Sequence, residues 1–280
     1  DKTFNSTAPV VGDYWKVLYK IVQESNILLN RCTPAIAGND YTSLTAQARF
    51  FRAMAYYYLV ETFGPVPLLV EENTDVIQQA ERTSEQAIYT FIITELNAIK
   101  DQLDMTTNSA GKVTNAAVIH FLGKMYLTRA YKSFAEANDF SEAATTFDLL
   151  IENPSSGYAL QENFAALFDE NNQANSEVIW AIQYGLDKNY RGGGNPQQAQ
   201  FGFNIVALEP DMFTKSQSDY SNASRKYWVN PKAHELYTNP EIDTRYDVTF
   251  AREYYINNPD NADYGKLGIY FPRWNDKSGM

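Results

Sequence analysis

The sequence is poor in the side chains that most often build covalent or metal-based sites. Its 280 residues include one cysteine, Cys32, and two histidines. A single cysteine excludes an internal disulfide, a paired-cysteine redox centre and a cysteine-rich zinc site. No stretch approaches the ~20 consecutive apolar residues of a membrane-spanning helix. A chain of this length can bury a large apolar core, so it can fold without covalent or metal cross-links.

Positive charge is also scarce. The chain carries 34 acidic and 23 basic residues, which give a formal net charge of −11. Nucleic-acid binding depends on the neutralisation of phosphates by Lys and Arg, so this balance argues against a nucleic-acid partner. The same balance argues against docking on an anionic lipid surface.

Aromatic residues, by contrast, are abundant. The chain has 20 Tyr, 16 Phe and 4 Trp, or 14% of all residues. Tyrosine is favoured where one side of a ring must pack and its polar tip must meet a partner. The composition is consistent with an aromatic binding surface and equally with a tyrosine-rich core.

Helical periodicity dominates the first 155 residues. Apolar residues recur at helical spacing over residues 13–31, 43–63, 84–103, 115–133 and 141–152. The pattern predicts that Gly64 caps the second helix and that Pro65 prevents its continuation. Capping boxes are predicted at Thr83 and at Asp139, because each has a Gln or Glu three positions later.

Two of the predicted helices carry a partial tetratricopeptide signature. Leu122-Gly123 with Tyr126, then Ala143 with Phe147, follow the spacing of that repeat. In such a pair the glycine lets the partner helix approach closely, and the Ala and Phe positions fill the seam. We predict one tetratricopeptide-like helical pair without a regular array of repeats.

The second part of the chain has a different texture. After Pro154 the sequence becomes polar and rich in Asn and Gly, with a predicted strand over residues 177–184 (EVIWAIQY). Most of this part is thus predicted to form long loops, and long loops within a compact domain are often functional. The predicted fold is therefore mainly α: a tetratricopeptide-like helical scaffold over residues 1–155, and a loop-rich, minor-β, ligand-binding part over residues 156–280.

Several segments together resemble one known family. Residues 46–68, AQARFFRAMAYYYLVETFGPVPL, are similar to the hallmark of the SusD/RagB family. Trp15, Tyr19 and Asn26 match the helix that precedes this hallmark, and SEVIWAI at residues 176–182 and Asp243-x-Arg245 match later segments. The segments follow the family's order over nearly the whole chain.

The resemblance implies a fold, a function and a location. Members of the SusD/RagB family are outer-membrane lipoproteins of Bacteroidetes that hold oligosaccharides at the cell surface without catalysis. They cover a TonB-dependent, SusC-like transporter, to which they deliver the ligand. The resemblance thus implies a surface-exposed lipoprotein whose only membrane attachment is an N-terminal lipid on a residue that this chain does not contain. Family members also continue past the segment that ends here, so the second part is expected to be truncated at its C-terminus.

Sugar binding favours flat aromatic side chains flanked by polar groups. Trp228, Tyr227 and Tyr220 lie in a polar stretch with Asp219 and form the leading predicted site. The alternative is that Trp228 packs a loop onto the helices. A second predicted group of ligand-binding residues precedes the Gly192–Gly194 run and consists of Asn189, Tyr190 and Arg191.

Three alternatives remain open at this stage. The first is an oligopeptide-binding, RagB-like lipoprotein, and the second is an all-helical glycoside hydrolase, because a catalytic carboxylate pair has no fixed spacing. The third is a tetratricopeptide scaffold that binds a protein or peptide on the helical face around residues 84–152. The sequence contains no G-x-S-x-G, H-E-x-x-H or phosphate-loop motif. We therefore expect no enzyme activity, no catalytic residues, no metal site and no cofactor.

Overall fold

The structure is a computed structural model, and it describes residues 8–75, 79–107, 111–183, 231–239, 241–249, 253–255 and 268–270. These residues separate into two units. The first unit contains the described residues up to Leu160 together with Ser176–Ala181. The second contains Gln161–Asn175 and the described residues from Ile182 onward. The boundary at residues 155 and 156 that the sequence suggests stays a prediction.

The first unit is helical. It consists of α1 (Pro9–Arg31), α2 (Pro34–Ala37), α3 (Tyr41–Phe63), α4 (Glu85–Ile99), α5 (Asn115–Arg129) and α6 (Asp139–Ile151). Neighbours in sequence pack on one another, α1 on α3, α3 on α4, α4 on α5 and α5 on α6. The mainly α prediction is confirmed, with each of the five predicted helices present. Among the described residues, no helix is both long enough and apolar enough to cross a membrane.

The helix ends show where local sequence rules hold and where they fail. Gly64 ends α3 with a positive φ of 69°, a conformation that favours glycine, as predicted. The cap of α4 is Ser84, whose hydroxyl accepts a hydrogen bond from the Ala87 amide at 3.3 Å. The predicted box at Thr83 is wrong, because the Thr83 amide is used in a bridge to the Val66 carbonyl at 2.9 Å.

The predicted box at the start of α6 is also wrong. α6 begins at Asp139, and the preceding Asn138 makes no capping hydrogen bond through its side chain. The Asp139 carboxylate is instead fully buried and paired with Arg129 at the end of α5. A long-range ion pair therefore takes the carboxylate that the local rule assigned to the helix end.

The first unit has a large apolar core and a small second cluster of Ala116, Ile119 and Leu150 between α5 and α6. Its largest fully buried side chains come from α3, α4 and α5 and include Tyr56, Leu59, Tyr89, Ile92, Leu96 and Met125. Trp15 and Trp180 pack against the large core. Trp180 also donates a hydrogen bond from Nε1 to the Gly111 carbonyl at 3.0 Å.

The predicted strand over residues 177–184 is wrong in its described part. Residues 177–183 form no strand in the structure. Trp180 lies edge-on to Phe50 and Phe51 of α3, with ring centroids 5.9 and 6.0 Å away. Ile179 and Trp180 pack against the helical core, so the β-favouring pattern of this segment does not indicate sheet pairing.

The close approach of α5 and α6 depends on Gly123. A Cβ atom at Gly123 would lie 2.7 Å from Cε1 of Phe147, which is closer than real Cβ contacts. Ala143, on the same side of α6, is 2% exposed. The glycine, alanine and phenylalanine of the predicted tetratricopeptide signature therefore occupy the seam between the two helices.

The described residues of the second unit form short elements. They include two helices, α7 (Pro231–Glu235) and α8 (Arg245–Thr249), and an antiparallel pair of strands, β1 (Glu253–Tyr255) and β2 (Gly268–Tyr270). In this pair Glu253 lies opposite Tyr270. Before α8, the Asp243 carboxylate accepts two hydrogen bonds from the Arg245 guanidinium at 2.7 and 2.6 Å. α8 packs on the 3₁₀ turn Phe164–Phe168.

Candidate functional site

The ligand-binding residues predicted from the sequence lie outside the described residues. They are Trp228, Tyr227, Tyr220, Asp219, Asn189, Tyr190 and Arg191. Their assignment therefore stays a prediction. The described residues instead define the scaffold that carries the family-like motif, one polar cleft and one exposed aromatic pair.

The centre of the motif is a buried charge cluster between α3 and α4. Arg52 donates hydrogen bonds to Glu95 Oε2 at 2.5 Å and to Asn26 Oδ1 at 2.8 Å. Arg49 donates to Glu95 Oε1 at 2.8 Å. Burial by itself raises the pKa of Glu95, but hydrogen bonds from Arg49 and then Arg52 outweigh it and hold the pKa below its ordinary value.

Residues of this cluster and their neighbours hold the segment that follows α3 by hydrogen bonds. We call residues 64–75 the strap. Tyr56, fully buried in α3, accepts a hydrogen bond from the Leu69 amide at 2.6 Å and donates one to the Leu69 carbonyl at 2.9 Å. Asn26 donates to the Leu69 and Glu71 carbonyls at 3.1 and 2.9 Å. Burial raises the pKa of the Tyr56 hydroxyl to about 12, so it stays protonated and able to donate.

Further along the strap, α1 provides the contacts. Tyr19 donates to the Pro67 carbonyl at 2.7 Å, and the Gln23 amide both donates to and accepts from the backbone of Asn73. Arg31 pairs with Glu72 at the end of α1. The motif residues Arg49, Arg52 and Asn26 thus hold the scaffold together, and they do not line an open site.

A polar cleft lies where the start of α3 meets the connection between α4 and α5. Its volume is about 160 Å³, and its lining includes Thr42, Ser43, Gln102, Asp104, Lys112 and Thr114. Gln47 braces its two sides, because its amide contacts Ser43 and accepts a hydrogen bond from the Val113 amide at 3.4 Å. The lining has one acid and one base, so it suits a neutral polar group better than an ion.

An exposed aromatic pair lies at the turn between α5 and α6. Tyr131 and Phe140 are edge-to-face, with ring centroids 5.3 Å apart and an interplanar angle of 86°. Neither residue is among the ligand-binding residues predicted from the sequence. Helical spacing would place Tyr131 next to Leu127 in the predicted helix over residues 115–133, but α5 ends at Arg129, and spacing does not show whether Tyr131 is exposed.

The described residues offer little for metal chemistry. They contain no group of three or more His, Cys, Asp or Glu side chains arranged to hold a metal ion. The prediction of no metal and no cofactor concerns the whole chain and stays a prediction.

Comparison with known proteins gives a consistent result for the helical part. Residues 2–127 match a SusD-like family described as "Starch-binding associating with outer membrane". A SusD-like protein from Bacteroides ovatus is 30% identical over 179 residues, or 61% of this chain and 32% of the relative. The starch-binding protein SusD from Bacteroides thetaiotaomicron is 27% identical over 187 residues, or 65% of this chain and 32% of the relative.

Solved structures extend the likeness to the fold. A crystal structure with a xylogluco-oligosaccharide is 27% identical, has a TM-score of 0.57, and aligns with 65% of this chain and 37% of its own. A laminarin-binding SusD-like protein aligns with 95% of this chain and 57% of its own, with a TM-score of 0.68 and 22% identity. The chain spans about a third of the length of the curated relatives that it matches. In its helical N-terminal part, the chain is similar to the SusD-like (SusD/RagB) family in the family model, in curated relatives and in solved structures.

Proposed function

We propose that this chain is part of a protein that binds oligosaccharides at the cell surface without turning them over. The observation that carries the proposal is the match of the helical part to the starch-binding protein SusD at 27% identity. A relative of equal identity was solved with a xylogluco-oligosaccharide. The first name describes starch binding, and the second names an oligosaccharide in the crystal.

The proposal includes a location and a partner. The matching family is described as associating with the outer membrane. We propose that the protein is a surface-exposed lipoprotein that delivers its ligand to a TonB-dependent, SusC-like transporter. Support for the transporter and for the lipid comes from the sequence resemblance to the SusD/RagB family.

The proposed ligand contacts are those of the aromatic, polar stretch around Trp228. An indole ring can stack on the C–H face of a sugar, and by analogy with base stacking one such contact contributes about 1–3 kcal/mol. Asp219, Tyr220 and Tyr227 would supply hydrogen-bond partners and further ring surface. Asn189, Tyr190 and Arg191 form the second proposed group.

Calorimetric titration of the full chain tests this function. The panel consists of malto-, laminari- and xyloglucan oligosaccharides, with mixed oligopeptides as a control and sugar release assayed in the same samples. We expect heat from one glycan class, no release, and an affinity at least about fivefold lower for Trp228→Ala. Sugar release would show a glycoside hydrolase. Heat from the peptides alone would show an oligopeptide-binding, RagB-like protein.

A further inference from the structure

The turn between α5 and α6 presents two large rings to solvent. Tyr131 is 78% exposed and Phe140 is 54% exposed. Single exposed apolar residues are common and need no explanation. Here, however, the two rings fix each other's orientation by an edge-to-face contact and add little to the core. The rings are nearly perpendicular, so the ligand contact is with the face of one ring whose orientation the other ring fixes.

The backbone beneath these rings is tightly held. Arg129 is buried at the end of α5, and its Nε and Nη2 contact both oxygens of the Asp139 carboxylate at 2.6–3.1 Å. Its Nη1 lies 2.7 Å from Glu136 Oε1. The Glu136 amide donates a hydrogen bond to Asp139 Oδ2 at 2.8 Å. A platform ordered in advance loses little conformational freedom when a ligand binds.

The surroundings of the rings favour a neutral, hydroxylated ligand. The two basic side chains of this fully described turn are engaged, Arg129 with Asp139 and Lys132 with Glu61 at 2.7 Å. The turn is therefore poorly suited to an anion. Ser133 and Asn138 are exposed beside the rings and can hydrogen-bond to hydroxyl groups.

A protein partner fits this surface less well. Stable protein interfaces bury roughly 1,000 Å² or more in total, with an apolar centre. The large exposed apolar side chains next to the turn are the two rings and Leu127, one helical turn earlier on α5, and Ala135 and Ala137 add two exposed methyl groups within the turn. Polar residues surround them, as expected for a contact the size of one sugar ring.

From this arrangement we propose that Tyr131 and Phe140 form an accessory glycan platform, on which one neutral sugar ring of a polysaccharide stacks. This inference rests on the proposed function, because it assigns a second binding surface to the same class of ligand. The platform belongs to the helical unit, and none of its residues is among those predicted from the sequence.

Affinity electrophoresis of the full chain tests the platform. Native gels contain starch, laminarin or xyloglucan, and retardation is compared for wild type, Tyr131→Phe, Tyr131→Leu and Leu127→Ala. Tyr131→Phe keeps the ring, whereas Tyr131→Leu keeps apolar surface but removes the flat face. We expect an apparent affinity at least about fivefold lower for Tyr131→Leu. Tyr131→Phe and Leu127→Ala should stay within about twofold of wild type.

The outcomes separate this inference from the function on which it rests. If wild type is retarded and Tyr131→Leu is retarded equally, the proposal of a platform is wrong, while the proposed glycan binding is supported. If Leu127→Ala weakens retardation as much as Tyr131→Leu does, the surface is a general apolar contact, and the inference is also overturned. If wild type is not retarded by any glycan and gives no heat in the calorimetric panel, both the function and the platform fail. Thermal melts of each variant serve as the control for folding.

Discussion

At the scale of single residues, the scaffold depends on one buried carboxylate that pairs with two guanidinium groups. Glu95 is 7% exposed and contacts both Arg49 and Arg52. A buried ion pair adds little compared with an apolar replacement of the whole set, but removal of one partner leaves an uncompensated charge. Glu95 is also reached from two positions of α3, so a single change affects both contacts.

We predict that Glu95→Gln lowers the free energy of unfolding by about 3 kcal/mol, because Arg49 and Arg52 lose their counter-ion while Arg52 stays buried. Denaturant unfolding measures this change. Lys16→Ala is the matched control, since Lys16 and Asp13 form an exposed pair on α1. That variant should change stability by less than about 1 kcal/mol. Equal losses in the two variants would contradict the assigned role of the buried cluster.

The lowered pKa of Glu95 predicts that the free energy of unfolding depends on pH. The pKa of Glu95 in the folded chain is lowered from its ordinary value of 4.5, so the folded state binds its proton less readily than the unfolded state does. Its stabilising contribution is therefore complete above pH 4.5 and is lost as pH falls through the folded pKa. We expect the stability difference between wild type and Glu95→Gln to be constant near neutral pH and to narrow below pH 4.5. A stability difference between wild type and Glu95→Gln that grows as pH falls would contradict this prediction.

At the scale of secondary-structure elements, two contacts explain how the helices and the strap are held. The α5–α6 seam is set by the absence of a side chain at Gly123 against the Phe147 ring. The strap is held by side chains of α1 and α3 that bond to its backbone. The periodicity of the sequence predicts the helices, but the strap has no periodic pattern and is ordered only by partners distant in sequence.

We predict that Gly123→Ala destabilises the protein by about 1–3 kcal/mol, because the new methyl group overlaps the Phe147 ring and forces the helices apart. A double-mutant cycle with Phe147→Ala provides the check. In the Phe147→Ala background the added methyl group has room, so Gly123→Ala should cost little or become favourable. Equal costs in both backgrounds would show that the ring contact is not the cause.

For the strap, we predict that Tyr56→Phe accelerates amide hydrogen exchange at residues 64–75 and lowers stability by about 1–3 kcal/mol. The buried ring remains, but the Leu69 amide and carbonyl lose their shared partner. Hydrogen exchange of the amides of α5 should rise less, and this difference separates local opening from global loss of stability. Uniform acceleration throughout the first unit would contradict a local role.

At the scale of the whole molecule, the net charge favours neutral glycans, the proposed ligand class, over nucleic acids and other polyanions. A net charge of −11 repels polyanions, whereas the contacts proposed for a neutral glycan involve rings and uncharged polar groups. Salt screens charge interactions but has little effect on stacking and neutral hydrogen bonds.

We therefore predict that the affinity for the glycan that binds in the calorimetric panel changes by less than about twofold between about 0.05 and 0.5 M NaCl. Duplex DNA and RNA should show no gel shift over the same range, because nucleic-acid binding needs a surface that neutralises phosphates. A steep loss of glycan affinity with salt would point to an acidic or basic ligand in place of a neutral one.

The sequence by itself determined the helices, the glycine cap at Gly64, the glycine seam and the resemblance to the SusD-like family, because each follows from local periodicity or from a contiguous motif. Tertiary structure decided the rest. Asp139 pairs with Arg129 and does not cap α6, and Trp180 packs on α3 where a strand was predicted, since burial and long-range pairing outweigh local preference. The open face of Tyr131 and Phe140 was likewise set by packing. A ring's exposure depends on what packs around it, and local periodicity does not fix that.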